Sequence, residues 1–210
     1  MSRRSRQGPS CTAWCWRAEV ELELVARELR LRPLRRADRR AWEALRRRNA
    51  AWLAPWEATS PEPATYRPTF RQYVRDQARA AKEGSGYAFV MEYRGEIVGQ
   101  VTIAGVVRGS LQAATIGYWI SEHVAGRGIT PLAVAMAADF CWFRLGLHRV
   151  EINIRPENAA SLRVVAKLGF REEGLRPGYL HIQGRWADHR SFALNRDEVG
   201  EGLAARLRGR

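Results

Sequence analysis

Residues 116–131 read Ile-Gly-Tyr-Trp-Ile-Ser-Glu-His-Val-Ala-Gly-Arg-Gly-Ile-Thr-Pro. Ile116 to Ile120 has the composition of a strand, and the apolar run from Leu132 to Leu145 has the length of a helix. Between them, Gly126 and Gly128 let the backbone turn tightly and bring its N–H groups close to a ligand. Thr130 is a good N-cap, and Pro131 suits the first helical position. Strand, glycine loop and helix N-terminus in that order make an anion site, because free N–H groups and the positive helix end point the same way. The stretch predicts a phosphate-bearing ligand at Gly126, Arg127, Gly128, Ile129 and Thr130.

Upstream, Glu28 to Pro33 alternates as a half-buried strand does, and a helix is expected from about Ala37 to Trp52. Residues 53–68 hold Trp56 and four prolines, Pro55, Pro61, Pro63 and Pro68, and read as an irregular connection. Phe70, Tyr73, Val74, Gln77, Ala78 and Ala81 recur at helical spacing, giving a helix that ends near Gly84. Strands follow over 87–92 and 97–103 around the turn Tyr93-Arg94-Gly95-Glu96, then over 113–120. Downstream, Gly146 is positioned to end the central helix. In the strand 150–154, Val150, Ile152 and Ile154 share one face and Glu151 and Asn153 the other. Asn158 caps a helix to Leu168 that Gly169 closes. Segments 170–174 and 187–194 read as a last strand pair, joined by a loop carrying Tyr179 and His181. This order argues for one mixed α/β domain with helices on both faces of a central sheet. Its expected bounds are 26–200, with a basic disordered tail over 1–25 and a short tail over 201–210.

Composition narrows the functional classes. The chain has 210 residues, is 46% hydrophobic and carries a formal charge of +13. No apolar run spans a membrane, and no signal peptide is legible, so a cytoplasmic protein is expected. Cys11, Cys15 and Cys141 make neither a disulfide framework nor, without a second Cys/His pair, a metal site. Of 35 basic residues only Lys82 and Lys167 are lysine, and residues 1–50 hold 14 arginines against 6 acids, +8 of the total. The charge fits either a solvated surface or a polyanionic partner such as the ribosome. Sequence-specific nucleic-acid binding is not expected.

The loop is not a Walker loop, whose spacing and lysine it lacks. It also differs from a dinucleotide fingerprint, which opens a parallel βαβ unit and has glycine where Pro131 stands. Taken with Arg155-Pro156-Glu157-Asn158-Ala159-Ala160-Ser161 and Lys167-Leu168-Gly169-Phe170, it resembles the Gcn5-related N-acetyltransferases over about 29–199. Leu31-Arg32-Pro33-Leu34, Ala51-Trp52-Leu53-Ala54-Pro55-Trp56 and Asp188-His189-Arg190-Ser191-Phe192-Ala193-Leu194 resemble the RimJ/RimL branch, which acetylates protein N-termini. The chain departs from the family's loop pattern at Ala125, where a polar residue is usual, and at Thr130, where a small one is.

The resemblance implies a mostly antiparallel sheet, acetyl-CoA as cosubstrate with its pyrophosphate on the glycine loop, and no metal. It implies that backbone N–H groups of Tyr118, Trp119 and Ile120 meet the acyl carbonyl, and that Asn158 and Ser161 meet the pantetheine arm and sulfur. Ser161 is then a candidate to protonate the leaving thiolate. Glu151, on the polar strand face, is a candidate base, and His181 a candidate acceptor-side group. Trp52 and Trp56 either line the acceptor cleft or bury their loop; Cys141 is expected to be inert core. The acceptor implied is a protein α-amine, such as that of a ribosomal protein. An α-amine titrates near 7.7–8, so roughly a tenth is already neutral at pH 7 and little basic assistance is required. A small amine, or a catalytically silent basic module, are the alternative readings.

Overall fold

The computed structural model describes residues 22–62 and 68–208; Cys11, Cys15 and most of the expected N-terminal tail lie outside that range. Eight strands form one sheet in the order β1-β2-β3-β4-β5-β6-β8-β7. In chain order they are β1 (Leu24–Ala26), β2 (Leu29–Arg32), β3 (Tyr87–Tyr93), β4 (Glu96–Val107), β5 (Ala113–Ile120), β6 (Arg149–Ile154), β7 (Arg171–Ile182) and β8 (Arg185–Asn195). Every neighbouring pair is antiparallel except β5 with β6.

Among the described residues, six helices cover the two faces: α1 (Arg39–Arg48), α2 (Ala50–Leu53), α3 (Phe70–Glu83), α4 (Ile129–Asp139), α5 (Ala159–Leu168) and α6 (Leu203–Arg208). Helix α4 is apolar nearly all round, and Ala133, Val134, Ala135, Ala137 and Ala138 are fully buried. A helix of that kind belongs in the middle of a core. It lies in the main core with Leu31, Phe89, Ile103, Ile116, Val150 and Ile152 from the sheet and Val165 and Leu168 from α5. Cys141 sits in that core, and burial pushes its thiol up, as an inert residue requires. The opposite face carries a smaller cluster, Leu34, Trp42 and Val90, against Phe70, Tyr73, Val74, Ile97 and Trp119 of α3 and the sheet.

Local signals explain most element ends. Thr69 and Gln72 form a reciprocal capping box at the start of α3, and Gly84 ends it in the left-handed region at φ 72°. Asn158 caps the start of α5 by accepting from Ser161 N–H, without a reciprocal bond, and Gly169 ends it at φ 79°. Two boundaries differ from the sequence expectation. The helix expected over 37–52 is a 3-10 turn, α1 and α2, with Asn49 between them. The helix expected to reach Leu145 leaves α geometry at Phe140 and finishes in a π turn, Phe140–Arg144. At the two ends, β1 starts at Leu24, and Leu203 of α6 is buried. Asp139 caps α6, accepting from Leu203 N at 2.8 Å and Ala204 N at 3.0 Å.

Candidate active site

The parallel pair β5–β6 is where the sheet opens. Its register holds only for Ala113↔Arg149, Ala114↔Val150 and Thr115↔Glu151. Beyond Thr115, β5 runs on to Ile120 and β6 to Ile154 with no ladder between them. The direction of the free β5 groups follows from its other neighbour. Ser121 N–H donates to Val98 C=O at 2.7 Å, in the register that pairs Gly99 with Ile120. Hydrogen bonding alternates along an antiparallel pair. Gly117 and Trp119 therefore turn their N–H and C=O to β4, while Ile116, Tyr118 and Ile120 turn theirs into the opening. At the far end of β5, Trp52 Nε1 donates to the Ile120 carbonyl at 3.0 Å. The Tyr118 N–H is thus an oriented donor at the edge of a slot.

The glycine loop stands at the mouth of this slot. Gly126 and Gly128 have φ of 81° and 79°, and a Cβ on either would meet no heavy atom within 4 Å. The loop needs glycine for its backbone, and the space above it is open to a ligand. Gly128, not Thr130, is the N-cap of α4, so Thr130 and Pro131 fall two positions deeper than the sequence suggested. Ile129 and Thr130 keep first-turn N–H groups with no intrahelical acceptor, and Pro131 has no N–H to leave orphaned. Exposed Arg127 is braced by Nη2 donating to His123 C=O at 3.1 Å.

On the β6 side, Asn158 Oδ1 accepts from Ser161 N at 3.0 Å, so Asn158 is the N-cap of α5. Ser161 Oγ has no hydrogen-bond partner among the described residues. Tyr118 Oη donates to the Ser161 carbonyl at 3.4 Å, which sets the first turn of α5 directly across from β5. Burial raises the Tyr118 pKa, so the phenol stays neutral. Trp119 points to the other sheet face, against Trp42 at 5.4 Å between ring centroids and under the Arg46 guanidinium.

Glu151 and His181 are placed differently from Ser161, and no hydrogen bond or ion pair joins any two of the three. Glu151 lies at the closed end of the slot, opposite Thr115. Its two oxygens accept from Arg149 Nε at 2.8 Å and Arg176 Nη2 at 3.0 Å. Both carboxylate oxygens are thereby occupied by arginines of the strand face. His181 is on strand β7, not in a loop, because β7 and β8 continue through 176–186 to a turn at Gln183-Gly184. Its Nδ1 is 2.7 Å from Thr59 Oγ1, and its carbonyl accepts from Thr59 N at 2.8 Å. It pins the segment after α2 to the hairpin.

Several side chains of this region went unassigned in the sequence. Asn49, 2% exposed, accepts from Glu122 N and Ser121 Oγ, both at 3.0 Å, and so ties the α1–α2 junction to the turn that precedes the glycine loop. Arg155 Nη1 donates to Pro55 C=O at 2.7 Å, and its guanidinium lies 5.7 Å from the Trp56 ring centre. His189 is buried on β8, with Nδ1 3.0 Å from Ala187 C=O and its ring edge-on to Tyr179. Burial lowers its pKa, so it is neutral near pH 7. The strand alternation of 187–194 would have shown His189 and Ser191 sharing a face; nothing local marks Asn49 or Arg155.

A backbone anion cradle at a helix start, an oriented strand N–H and an unengaged hydroxyl at the next helix, all on one slot, define an acyl-CoA-dependent transferase. The glycine cradle and Ser161 fit the phosphates and the thioester end of acetyl-CoA. The acetyltransferase (GNAT) domain model matches residues 28–171, and the chain belongs to this family of N-acetyltransferases. It is similar to the Escherichia coli [ribosomal protein uS5]-alanine N-acetyltransferase, with 32% identity over 161 residues, covering 75% of this chain and 83% of that one. It is 39% identical to the probable N-acetyltransferase YjcK of Bacillus subtilis over 103 residues, 49% of this chain; that match spans only 57% of the relative's length. Among solved structures it is similar to Mycobacterium smegmatis RimJ in complex with CoA-disulfide: TM-score 0.80, 38% identity, 86% of this chain and 88% of that one.

Proposed function

We propose that this enzyme acetylates the N-terminal α-amine of a protein, with ribosomal proteins as the acceptor class. The similarity to the uS5-alanine N-acetyltransferase over three quarters of the chain carries this reading. Bound acetyl-CoA supplies the activated acetyl group. Gly126, Gly128, Ile129 and Thr130 hold its phosphates by backbone N–H groups, with Arg127 adding charge. The Tyr118 N–H faces the acyl oxygen, where a fixed donor stabilises developing negative charge. Ser161 Oγ hydrogen-bonds the leaving sulfur, and Asn158 fixes the turn that presents it. Neither Glu151 nor His181 is needed as a dedicated base, because an α-amine near pKa 7.7–8 is partly neutral at pH 7.

The catalytic domain occupies about 26–200, its setting is the cytoplasm, and its arginine-rich surface assists docking on the ribosome. The test is a screen of N-terminal peptides, whole ribosomal proteins and polyamines with acetyl-CoA, read by intact mass and peptide mapping. A single acetyl group on a protein α-amine is the expected product. Acetylation of polyamines alone would replace this reading with that of a small-amine enzyme.

A further inference from the structure

A cavity of about 470 Å³ lies behind β5, on the face opposite α4 and α5. Its apolar wall is Trp42, Tyr73 and Trp119, and its charged groups are Glu43, Arg46, Arg47 and Glu57. The floor residue, Trp119, follows Tyr118, so its Cα stands about 3.8 Å from that of the residue whose N–H faces the slot. The roof is continuous with the slot too. The chain that carries Trp52 on the Ile120 carbonyl and Pro55 on Arg155 goes on to Glu57 at the cavity rim. A chain whose first amine reaches the slot from this face advances about 3.3 Å per residue. Its second to fourth residues then lie over the cavity.

The two acids and two arginines of the cavity are not all paired with one another. Glu57 pairs with Arg46, and Glu43 pairs with Arg39, which lies outside the lining, at 2.9 Å. Gln100 and Tyr73 satisfy each other. Arg46 is further committed to the Trp119 face. The Arg47 guanidinium, exposed, has no ion pair or hydrogen bond among the described residues, and its backbone carbonyl is engaged by Asn49 N–H. We propose that this cavity reads the residues behind the acceptor's N-terminal amine, and that Arg47 selects an acidic side chain at the second to fourth position. This rests on the α-amine reading above.

The experiment uses otherwise identical alanine-started peptides bearing Glu, Ala or Lys at positions two to four. Expected for the full chain is a kcat/KM for the Glu peptides about threefold to fivefold above Ala, carried by KM, as one partly exposed ion pair allows, and shrinking as salt rises. Arg47→Glu should invert the order, favouring Lys, with acetyl-CoA affinity by calorimetry as the check that the variant is folded. Equal use of all three peptides, or an unchanged order in Arg47→Glu, overturns the selection by Arg47 and leaves α-amine acetylation standing. Acetylation of polyamines but no peptide overturns both.

Discussion

The two sides of the slot are built from different materials. The donor side is largely main chain, two glycines at φ near 80°, a helix start and a strand N–H, with Arg127, the Asn158 cap and Ser161 as its side chains. The acceptor side is made of side chains that span the sheet opening: Asn49 on the Ser121–Glu122 turn, Trp52 on Ile120, Arg155 on Pro55 and His181 on Thr59. Backbone geometry recognises what every acetyl-CoA presents, whereas side-chain anchors can be exchanged without disturbing the fold. The donor half is thus specified by conformation and the acceptor half by contacts.

Substitutions on the two sides should therefore fail differently. The largest effect is expected for Gly128→Val. It puts a β-branched residue at φ 79°, where L-residues lose roughly 1–2 kcal/mol, and fills the open space above the loop. Acetyl-CoA affinity by calorimetry should fall about 100-fold, with the fold intact because no protein atom is struck; unchanged affinity would remove the phosphates from this loop. Next comes Ser161→Ala, expected to lower kcat about 10- to 100-fold with KM for acetyl-CoA nearly constant, as loss of a proton-donating group does. A rise in KM alone would reduce Ser161 to a binding role.

On the acceptor side, Arg155→Met removes a charge-assisted bond to Pro55 and should raise the acceptor KM about tenfold, while calorimetric acetyl-CoA affinity stays put. If both change together, the contrast between the halves is lost. Glu151→Gln sharpens it from the other direction. The residue binds Arg149 and Arg176 in a half-buried network, so stability should drop by about 1 kcal/mol, or 2–4 °C in Tm, with kcat within about twofold. A 100-fold fall in kcat would restore Glu151 as the base. The smallest effect concerns His189, whose folded pKa is lowered by burial. Between that value and the unfolded pKa of about 6.5 the unfolded chain binds the proton more readily. Its contribution to stability is present above pH 6.5 and lost as the pH falls through the folded value. Urea midpoints compared at pH 7.5 and pH 5 should show a decline that is shallower in His189→Asn.

The same division decided what the sequence disclosed. Residues whose meaning is conformational were legible: Gly84, Gly126, Gly128, Gly169 and the Asn158 cap all act within a few positions of themselves. Even there the α4 start was misjudged by two residues, because a left-handed glycine can cap a helix as Thr130 can. The β7–β8 hairpin was read as a loop over 176–186 because Pro177 and Gly178 break most strands. An edge strand with a bulge between Arg176 and Leu180 tolerates both. The partners of Trp52, Arg155 and Asn49 were opaque for a different reason. They are 68, 100 and 72 or 73 positions away, and no periodicity records such pairings.

The sheet opening has a consequence for how the folded state responds to its ligand. Among the described strands, β1 to β5 and β6 to β8 are two antiparallel halves joined along three residue pairs. A molecule lying from the glycine loop to Ser161 bridges those halves and substitutes for the pairing the strands forgo. At 100 times its dissociation constant such a ligand adds about 2.7 kcal/mol to the folded state. The thermal midpoint should therefore rise with the concentration of free acetyl-CoA.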